Sequence, residues 1–251
     1  MNRLQIPQVS IFSYTILFIT LEAFIYITYL SMDFLSLHTL KISDIFKYSG
    51  IVLCFIYTLV QNAADQFSKR QSRCLLACAF LVLFSDYCLL FTSHYLPGVI
   101  IFILVQCLYF TAMARPRLLP HFLALSAALA IPAALFLNSV CKLKGPLINA
   151  AAIYMSMLTI NIVCAVRHFY KSRNVPALLF ALGMVLYSLC DLSVGLMNLP
   201  AFFGPQTPRL LYIFASPYFQ EITTYAMWLF YLPAQVLIAL SHFSLKNRSF
   251  S

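Results

Sequence analysis

Charged residues are scarce in this chain: they make up 9% of its 251 residues, whereas hydrophobic residues make up 62%. A water-soluble protein carries about 25% charged residues, which it needs to cover its surface. This composition therefore excludes a soluble protein and predicts an integral membrane protein. The formal net charge of +9 is then interpreted as a marker of orientation beside anionic lipid headgroups, and we predict no nucleic-acid partner.

Glycine is also scarce, with six residues in the chain. The sequence holds neither the GxSxG pattern of a serine-hydrolase nucleophile nor the GxGxxG pattern of a phosphate-binding loop, so both enzyme classes are disfavoured. Cysteine occurs eight times but forms no CxxC pattern, and the Cys74/Cys78 pair has no His or second Cys pair beside it to complete a zinc site. We predict no metal and no cofactor, and we interpret the cysteines as small packing residues.

Long apolar stretches bounded by charges, proline or glycine divide the chain into eight candidate spans. A helix that crosses a bilayer needs about 20 apolar residues, so eight helices leave too few residues for a separate soluble domain. The predicted fold is an all-α polytopic membrane bundle of about eight transmembrane helices, a single integral membrane domain over residues 1–251. The candidate spans are 10–31, 46–62, 73–91, 97–114, 119–137, 146–169, 176–197 and 220–243.

Lys and Arg residues fall unevenly on the two sides of such a bundle. Eleven lie on the side of both termini and five on the other, which predicts cytoplasmic N- and C-termini in a multi-pass protein of the cell membrane. The eleven are Arg3, Lys69, Arg70, Arg73, Arg115, Arg117, Arg167, Lys171, Arg173, Lys246 and Arg248, and the five are Lys41, Lys47, Lys142, Lys144 and Arg209. The long connection 198–219 lies on the outer side and is expected to form an aromatic interfacial belt or to cover an opening.

Four acidic residues fall inside the spans or at their ends, where an ionisable group is costly and usually marks a function. They are Glu22, Asp86, Asp191 and Glu221. Asp86 and Asp191 both lie about 20 Å above the cytoplasmic start of their spans. If two carboxyls are close at one depth, one should hold a proton while the other is charged, as a general acid and a general base require. The alternative is that each aspartate only fixes helix packing through a hydrogen bond.

Other polar side chains are expected near the same depth and are candidates for substrate binding. Span four carries Gln106 and Tyr109, span six carries Tyr154, and span eight carries Tyr231 and Gln235. Each alone is typical of contacts between helices, but several of them beside two acids indicate a site.

Three motifs contain or flank these polar residues. The first is LFSDYCLL at 83–90, followed by the spacing of Gly98, Phe102, Gln106 and Tyr109. The second is GMVLYSLCD at 183–191, and the third is YLPAQVLIALS at 231–241. In these motifs and their order the chain resembles the YhhN family of integral membrane lysoplasmalogenases, and the count of eight spans agrees with that family.

The resemblance implies a membrane-embedded hydrolase that cleaves the vinyl-ether bond of a lysoplasmalogen, a lysophospholipid, to a fatty aldehyde and glycerophospho-ethanolamine or -choline. It implies Asp86 and Asp191 as the catalytic residues and no cofactor. Gln106 stands where the family usually has His, and Gln cannot take up a proton, so acid/base chemistry is lost at this position. The alternatives are a proton-coupled transporter or lipid-binding membrane protein in which Glu22, Asp86 and Asp191 relay protons or bind a cation, and a catalytically inactive scaffold.

Overall fold

The structure is a computed structural model that describes residues 8–35, 42–63, 69–92 and 94–241. These residues form eight long α-helices joined by mostly short connections. The helices are α1 (Gln8–Phe34), α2 (Ile42–Ala63), α3 (Lys69–Phe91), α4 (Tyr95–Met113), α5 (Leu119–Ser139), α6 (Pro146–Ser172), α7 (Val175–Asn198) and α8 (Pro217–Leu240). Four cations used to predict orientation, Arg3, Lys41, Lys246 and Arg248, lie outside the described residues.

All eight helices are long and apolar enough to cross a membrane, which confirms the predicted all-α bundle of eight spans. A helix satisfies its own backbone hydrogen bonds, and in a bilayer no water is available to do so instead. The boundaries differ from the prediction by up to four residues: α3 begins at Lys69 rather than at residue 73, and α2 begins at Ile42 rather than at residue 46. The earlier start has a physical reason, since Ser43 and Lys47 in its first two turns both bind Asp33 of α1.

Local sequence signals set several helix ends. Asn174 precedes α7, and its side chain accepts a hydrogen bond from the backbone of Ala177. Ser216 caps α8 in the same way and is followed by Pro217 at the first helical position. Gly145, immediately before α6, has a φ of +140°, a conformation that only glycine adopts without strain. Such caps satisfy backbone groups that a helix end leaves unpaired.

Helices α1, α2, α3 and α4 pack against one another in chain order, and α4, α6, α7 and α8 continue the series. Helix α2 also contacts α8, and α5 packs mainly against α6 on the outside of the bundle. One buried apolar cluster draws residues from every helix except α5. We call the end of the bundle where α3 begins and α4 ends the inner end, and the opposite one the outer end. The described Lys and Arg side chains at the inner end are Arg70, Arg73, Arg115, Arg117, Arg167, Lys171 and Arg173.

The connection between α7 and α8 at the outer end folds into two short 3₁₀ helices, Leu199–Phe202 and Arg209–Ala215. They lie against each other, and the rings of Phe203 and Tyr212 are 5.1 Å apart. Leu210 in the second 3₁₀ helix is 82% exposed. Exposed apolar and aromatic side chains at a bundle end are typical of an interfacial belt.

Candidate functional site

Asp86 lies inside the bundle on α3, with 3% of its surface exposed. Its Oδ2 accepts a hydrogen bond of 2.5 Å from the hydroxyl of Tyr231 on α8. The preceding residue fixes the contact of α3 with α4, because the Ser85 hydroxyl donates to the carbonyl oxygen of Gly98 at 2.8 Å. A Cβ on Gly98 would lie 3.0 Å from the Leu89 side chain, so the small residue allows this close approach.

Asp191 lies on α7 and is half-buried. Its Oδ2 accepts a hydrogen bond from the hydroxyl of Tyr154 on α6, which is buried. The two candidate catalytic carboxyls are therefore each held by a tyrosine from a different helix. Both tyrosines were predicted as substrate-binding residues, and the structure places them directly on the aspartates.

The two Asp–Tyr pairs belong to one site. The Tyr187 ring stacks on the Tyr231 ring with centroids 5.8 Å apart. The Phe102 ring in turn lies 6.0 Å from the Tyr187 ring and 5.9 Å from the Tyr154 ring, so that a continuous set of ring contacts joins Tyr154 to Tyr231. We call Asp86, Asp191, Tyr154 and Tyr231 the carboxyl layer.

The other predicted polar residues lie deeper, toward the inner end. Gln106 on α4 accepts two hydrogen bonds from the Asn161 side chain on α6, one at its Oε1 (2.8 Å) and one at its backbone oxygen (2.9 Å). Gln235 on α8 is buried at a similar depth. We call Gln106, Asn161 and Gln235 the amide layer. The fifth predicted residue, Tyr109, is buried one turn further in, with its ring 5.6 Å from that of Phe180.

The register of the helices gives the distance between the two layers. Ring contacts of α4 with α7 join Phe102 to Tyr187 and Tyr109 to Phe180, so that Gln106 lies level with Gly183. Gly183 in turn packs beside Ala234 and Ile238 of α8. Asp191 lies eight residues further along α7, which corresponds to about 12 Å. The amide layer is therefore separate from the two aspartates, and the expectation of a common depth is wrong for Gln106, Tyr109 and Gln235, because the register of α4 and α8 against α7 places them further toward the inner end.

Sequence reasoning missed Asn161, which the structure places against Gln106. A signal was present, because Asn161 follows Tyr154 by seven residues on α6 and so lies on the same helix face.

Sequence reasoning also gave Lys47 only a topological role. Lys47 is 5% exposed and forms an ion pair of 2.9 Å with Asp33. Its Nζ lies 4.5 Å from the ring centroid of Trp228, and that ring contacts Tyr231 edge-on. A buried ion pair thus packs next to the carboxyl layer on its outer side.

The two remaining intramembrane acids have different surroundings. Glu22 on α1 is 2% exposed, and its Oε1 accepts a hydrogen bond from the Cys54 thiol at 3.3 Å. Its other oxygen lies near Gly50, where a Cβ would come within 3.1 Å. Glu221 is exposed at the outer start of α8, as predicted. Glu22 therefore adds a further buried carboxyl inside the bundle, on its α1–α2 side.

The fold and this geometry define a multi-pass membrane protein with a paired carboxyl site inside its helices. Each carboxyl has one oxygen held by a tyrosine, so the other can face a reacting group, and such a pair can donate and accept a proton in one cycle.

The particular family follows from sequence comparison. The profile of the YhhN family matches residues 42–242, and the chain belongs to that family. The match includes all seven residues predicted for the site and leaves out α1, with Glu22 and Asp33. No curated protein and no solved structure matches the chain.

Proposed function

We propose that this protein is a membrane-embedded hydrolase that cleaves the vinyl-ether bond of lysoplasmalogens, releasing a fatty aldehyde and a glycerophospho-ethanolamine or -choline. The observation that carries the proposal is that Asp86 and Asp191 both lie in the carboxyl layer, each bound by the hydroxyl of a tyrosine from another helix. Membership of the YhhN family supports it.

The chemistry needs a proton donor and a carboxylate. One aspartic acid of the pair transfers its proton to the β-carbon of the vinyl ether, and the double-bond electrons form the new C–H bond. The resulting oxocarbenium ion is stabilised by the other, ionised aspartate. Water adds to the cation and loses a proton to that carboxylate, which gives a hemiacetal.

The first aspartate, now ionised, takes the hydroxyl proton of the hemiacetal, and the C–O bond to glycerol breaks as the aldehyde forms. The other aspartic acid protonates the glycerol oxygen, so both carboxyls return to their starting states. Since each aspartate acts once as an acid and once as a base, these roles belong to the pair and not to a single residue. Tyr231 and Tyr154 keep the Oδ2 atoms of Asp86 and Asp191 in place, so that the Oδ1 atoms are the ones available to substrate and water.

In this scheme the hydrocarbon chain of the lipid lies among the apolar side chains of the bundle, and its headgroup lies at the outer end. Exposed cations there are Lys142, Lys144 and Arg209, which suit the phosphate of a lysophospholipid.

The test is aldehyde release from a lysoplasmalogen by the protein reconstituted in liposomes. We expect Asp86→Asn and Asp191→Asn each to lower turnover by about 100-fold or more, the usual contribution of an acid or base. Glu221→Gln, which neutralises an exposed carboxyl of α8, serves as the matched control and should retain activity. Full turnover in either aspartate variant would remove that residue from the mechanism, and a wild type without aldehyde release would reject the hydrolase.

A second candidate function, proton-coupled transport, is favoured by one observation: Glu22 is a further buried carboxyl inside the bundle, hydrogen-bonded only to a cysteine thiol among the contacts described for it. Intramembrane carboxyls in series are typical of proton relays. Proton flux into liposomes that requires Glu22 and yields no aldehyde would support the transporter and contradict the hydrolase.

A further inference from the structure

A cavity of about 150 Å³ opens at the inner end of the bundle, between α3, α4, α6, α7 and the end of α8. His168 and Asn174 line it where it meets the surface, and both are exposed. Leu75 and Phe180 line it on the inside, and both are buried. The cavity therefore leads from a polar opening to an apolar wall inside the bundle, and we call it the inner cavity.

Directly behind this wall lies Tyr109, whose ring contacts that of Phe180. The amide layer follows at the level of Gly183, three residues beyond Phe180 on α7, or about 5 Å along the helix axis. The carboxyl layer lies about 12 Å beyond that. The order from the inner end is thus the inner cavity, the amide layer and the carboxyl layer.

The amide layer holds polar atoms that no described residue satisfies. Within the described part of the chain, Gln106 Nε2, Asn161 Oδ1 and Gln235 Nε2 have no hydrogen-bond partner, although all three residues are buried. Amide nitrogens donate and amide oxygens accept, so one water molecule can donate to Asn161 and accept from Gln106. Polar sites of this kind are where buried water binds in proteins.

We propose that the amide layer is a water-binding site through which water passes from the inner cavity to Asp86 and Asp191. Water binding at the amides is independent of the proposed function, whereas the use of that water in catalysis rests on it. Hydrolysis consumes one water per turnover, and Asp86 is buried inside an apolar bundle, so a polar route brings water to it. The Tyr109–Phe180 contact is the narrow point of this route.

X-ray hydroxyl-radical footprinting tests the proposal without any assay of activity, because radicals formed from bound water oxidise the side chains beside it. Two buried side chains are compared, each relative to its intrinsic reactivity toward the radical. Met184 is 0% exposed and lies next to Gly183 at the level of the amide layer. Phe122 of α5 is 2% exposed and stacks on Phe110 in an apolar cluster. We expect oxidation of Met184 severalfold faster than that of Phe122 on this scale, and equally slow oxidation of the two would overturn the proposal.

Two variants locate the site and its source of water. Asn161→Leu removes both polar atoms of the side-chain amide contributed by α6 and should lower Met184 oxidation severalfold while leaving Phe122 oxidation unchanged. Met113 lines the inner cavity. Met113→Trp fills part of that cavity with a bulkier side chain and should also lower Met184 oxidation severalfold. Leu118→Trp, at an exposed position of the same end, is its control. Unchanged Met184 oxidation in Met113→Trp would overturn the entry from the inner cavity.

The catalytic use of this water has a separate readout. We expect Asn161→Leu to lower kcat for aldehyde release severalfold with little change in KM, since the reacting group of the lipid is proposed to lie at the two aspartates, about 12 Å from the amide layer. Fast Met184 oxidation in a wild type that releases no aldehyde would retain the water site and reject the hydrolase. Normal kcat in an Asn161→Leu protein with slow Met184 oxidation would overturn the catalytic use of the water.

Discussion

At the scale of single residues, the tyrosine hydroxyls distinguish the two aspartates from ordinary packing contacts. Tyr231 and Tyr154 each direct their only hydroxyl to a carboxylate Oδ2 rather than to a backbone carbonyl. A neutral hydroxyl can donate to a carboxylate in either protonation state of the pair, so it orients the carboxyl without competing for its proton. The carboxyls are thereby positioned for chemistry as well as for packing.

The first prediction concerns these hydroxyls. Tyr231→Phe and Tyr154→Phe should each lower kcat for aldehyde release by about 10- to 100-fold, since a hydrogen bond to a charged group is worth about 1.5–3 kcal/mol. Tyr26→Phe is the matched control, because the Tyr26 hydroxyl also donates to α8, to the Leu229 carbonyl at 2.9 Å. Equal activity of all three variants would show that the hydroxyls play no part in turnover.

At the scale of helices, the contact of α7 with α8 sets the position of Tyr231 relative to Asp191. A Cβ on Gly183 would lie 2.8 Å from Ile238 Cγ1 and 3.0 Å from the backbone oxygen of Ala234. Because the second contact is with backbone, it cannot be relieved by a change of rotamer. The two helices approach this closely only because residue 183 is glycine.

Gly183→Ala should therefore destabilise the protein, although alanine is the better helix former by about 1 kcal/mol. Overpacking costs about 1–3 kcal/mol and should dominate, which lowers the thermal unfolding midpoint in detergent. Gly195→Ala on the same helix is the control, because a Cβ there meets nothing within 4 Å among the described residues. The close packing would be contradicted if the two variants unfolded at the same temperature.

The buried ion pair gives a second prediction at this scale, because it joins α1 to α2 beside α8. Asp33→Asn should lower the free energy of unfolding by about 3–5 kcal/mol, since Lys47 would be left buried without its counter-charge. Asp44→Asn is the matched control: Asp44 lies 3.7 Å from the same Lys47, but its side chain is 37% exposed. Denaturation in detergent measures the free energy of unfolding of both variants. A large loss of stability in Asp44→Asn but not in Asp33→Asn would contradict the assignment of Asp33 as the main partner of Lys47.

At the scale of the whole molecule, eight helices place the two ends of the bundle on opposite sides of a membrane. The positively charged inner end is predicted to face the cytoplasm. The inner cavity would then open to the cytoplasm, while the exposed cations Lys142, Lys144 and Arg209 would face the outside. In the proposed reaction, water and lipid headgroup thus reach the carboxyl layer from opposite sides.

Reporter fusions measure this orientation. In a bacterial host, alkaline phosphatase fused after Lys144 should be active, because it reaches the oxidising outer side, whereas a fusion after Ser172 should be inactive. Green fluorescent protein fused after Ser172 should fluoresce. The reverse pattern would invert the predicted orientation and place the inner cavity outside the cell.

Much of the fold was predictable from sequence because the signals are local. Apolar length defines a span, and caps such as Asn174 and Ser216 define where a helix begins. The start of α2 was predicted four residues too late. Lys47 is charged and was therefore assigned to the boundary of the span, yet Asp33 of α1 neutralises its charge within the bundle. Hydropathy treats each residue alone and cannot detect such a pair.

The sequence by itself determined the membrane, the eight helices and the two aspartates that stand out within them. Only the tertiary structure decided that Tyr231 binds Asp86 from 145 positions away, that Tyr154 binds Asp191, and that Gln106 belongs with Asn161 in a deeper layer. The reason is physical. Helix formation and membrane insertion depend on neighbouring residues, whereas the contacts of a side chain depend on the rotation and register of whole helices, which close packing at positions such as Gly183 fixes.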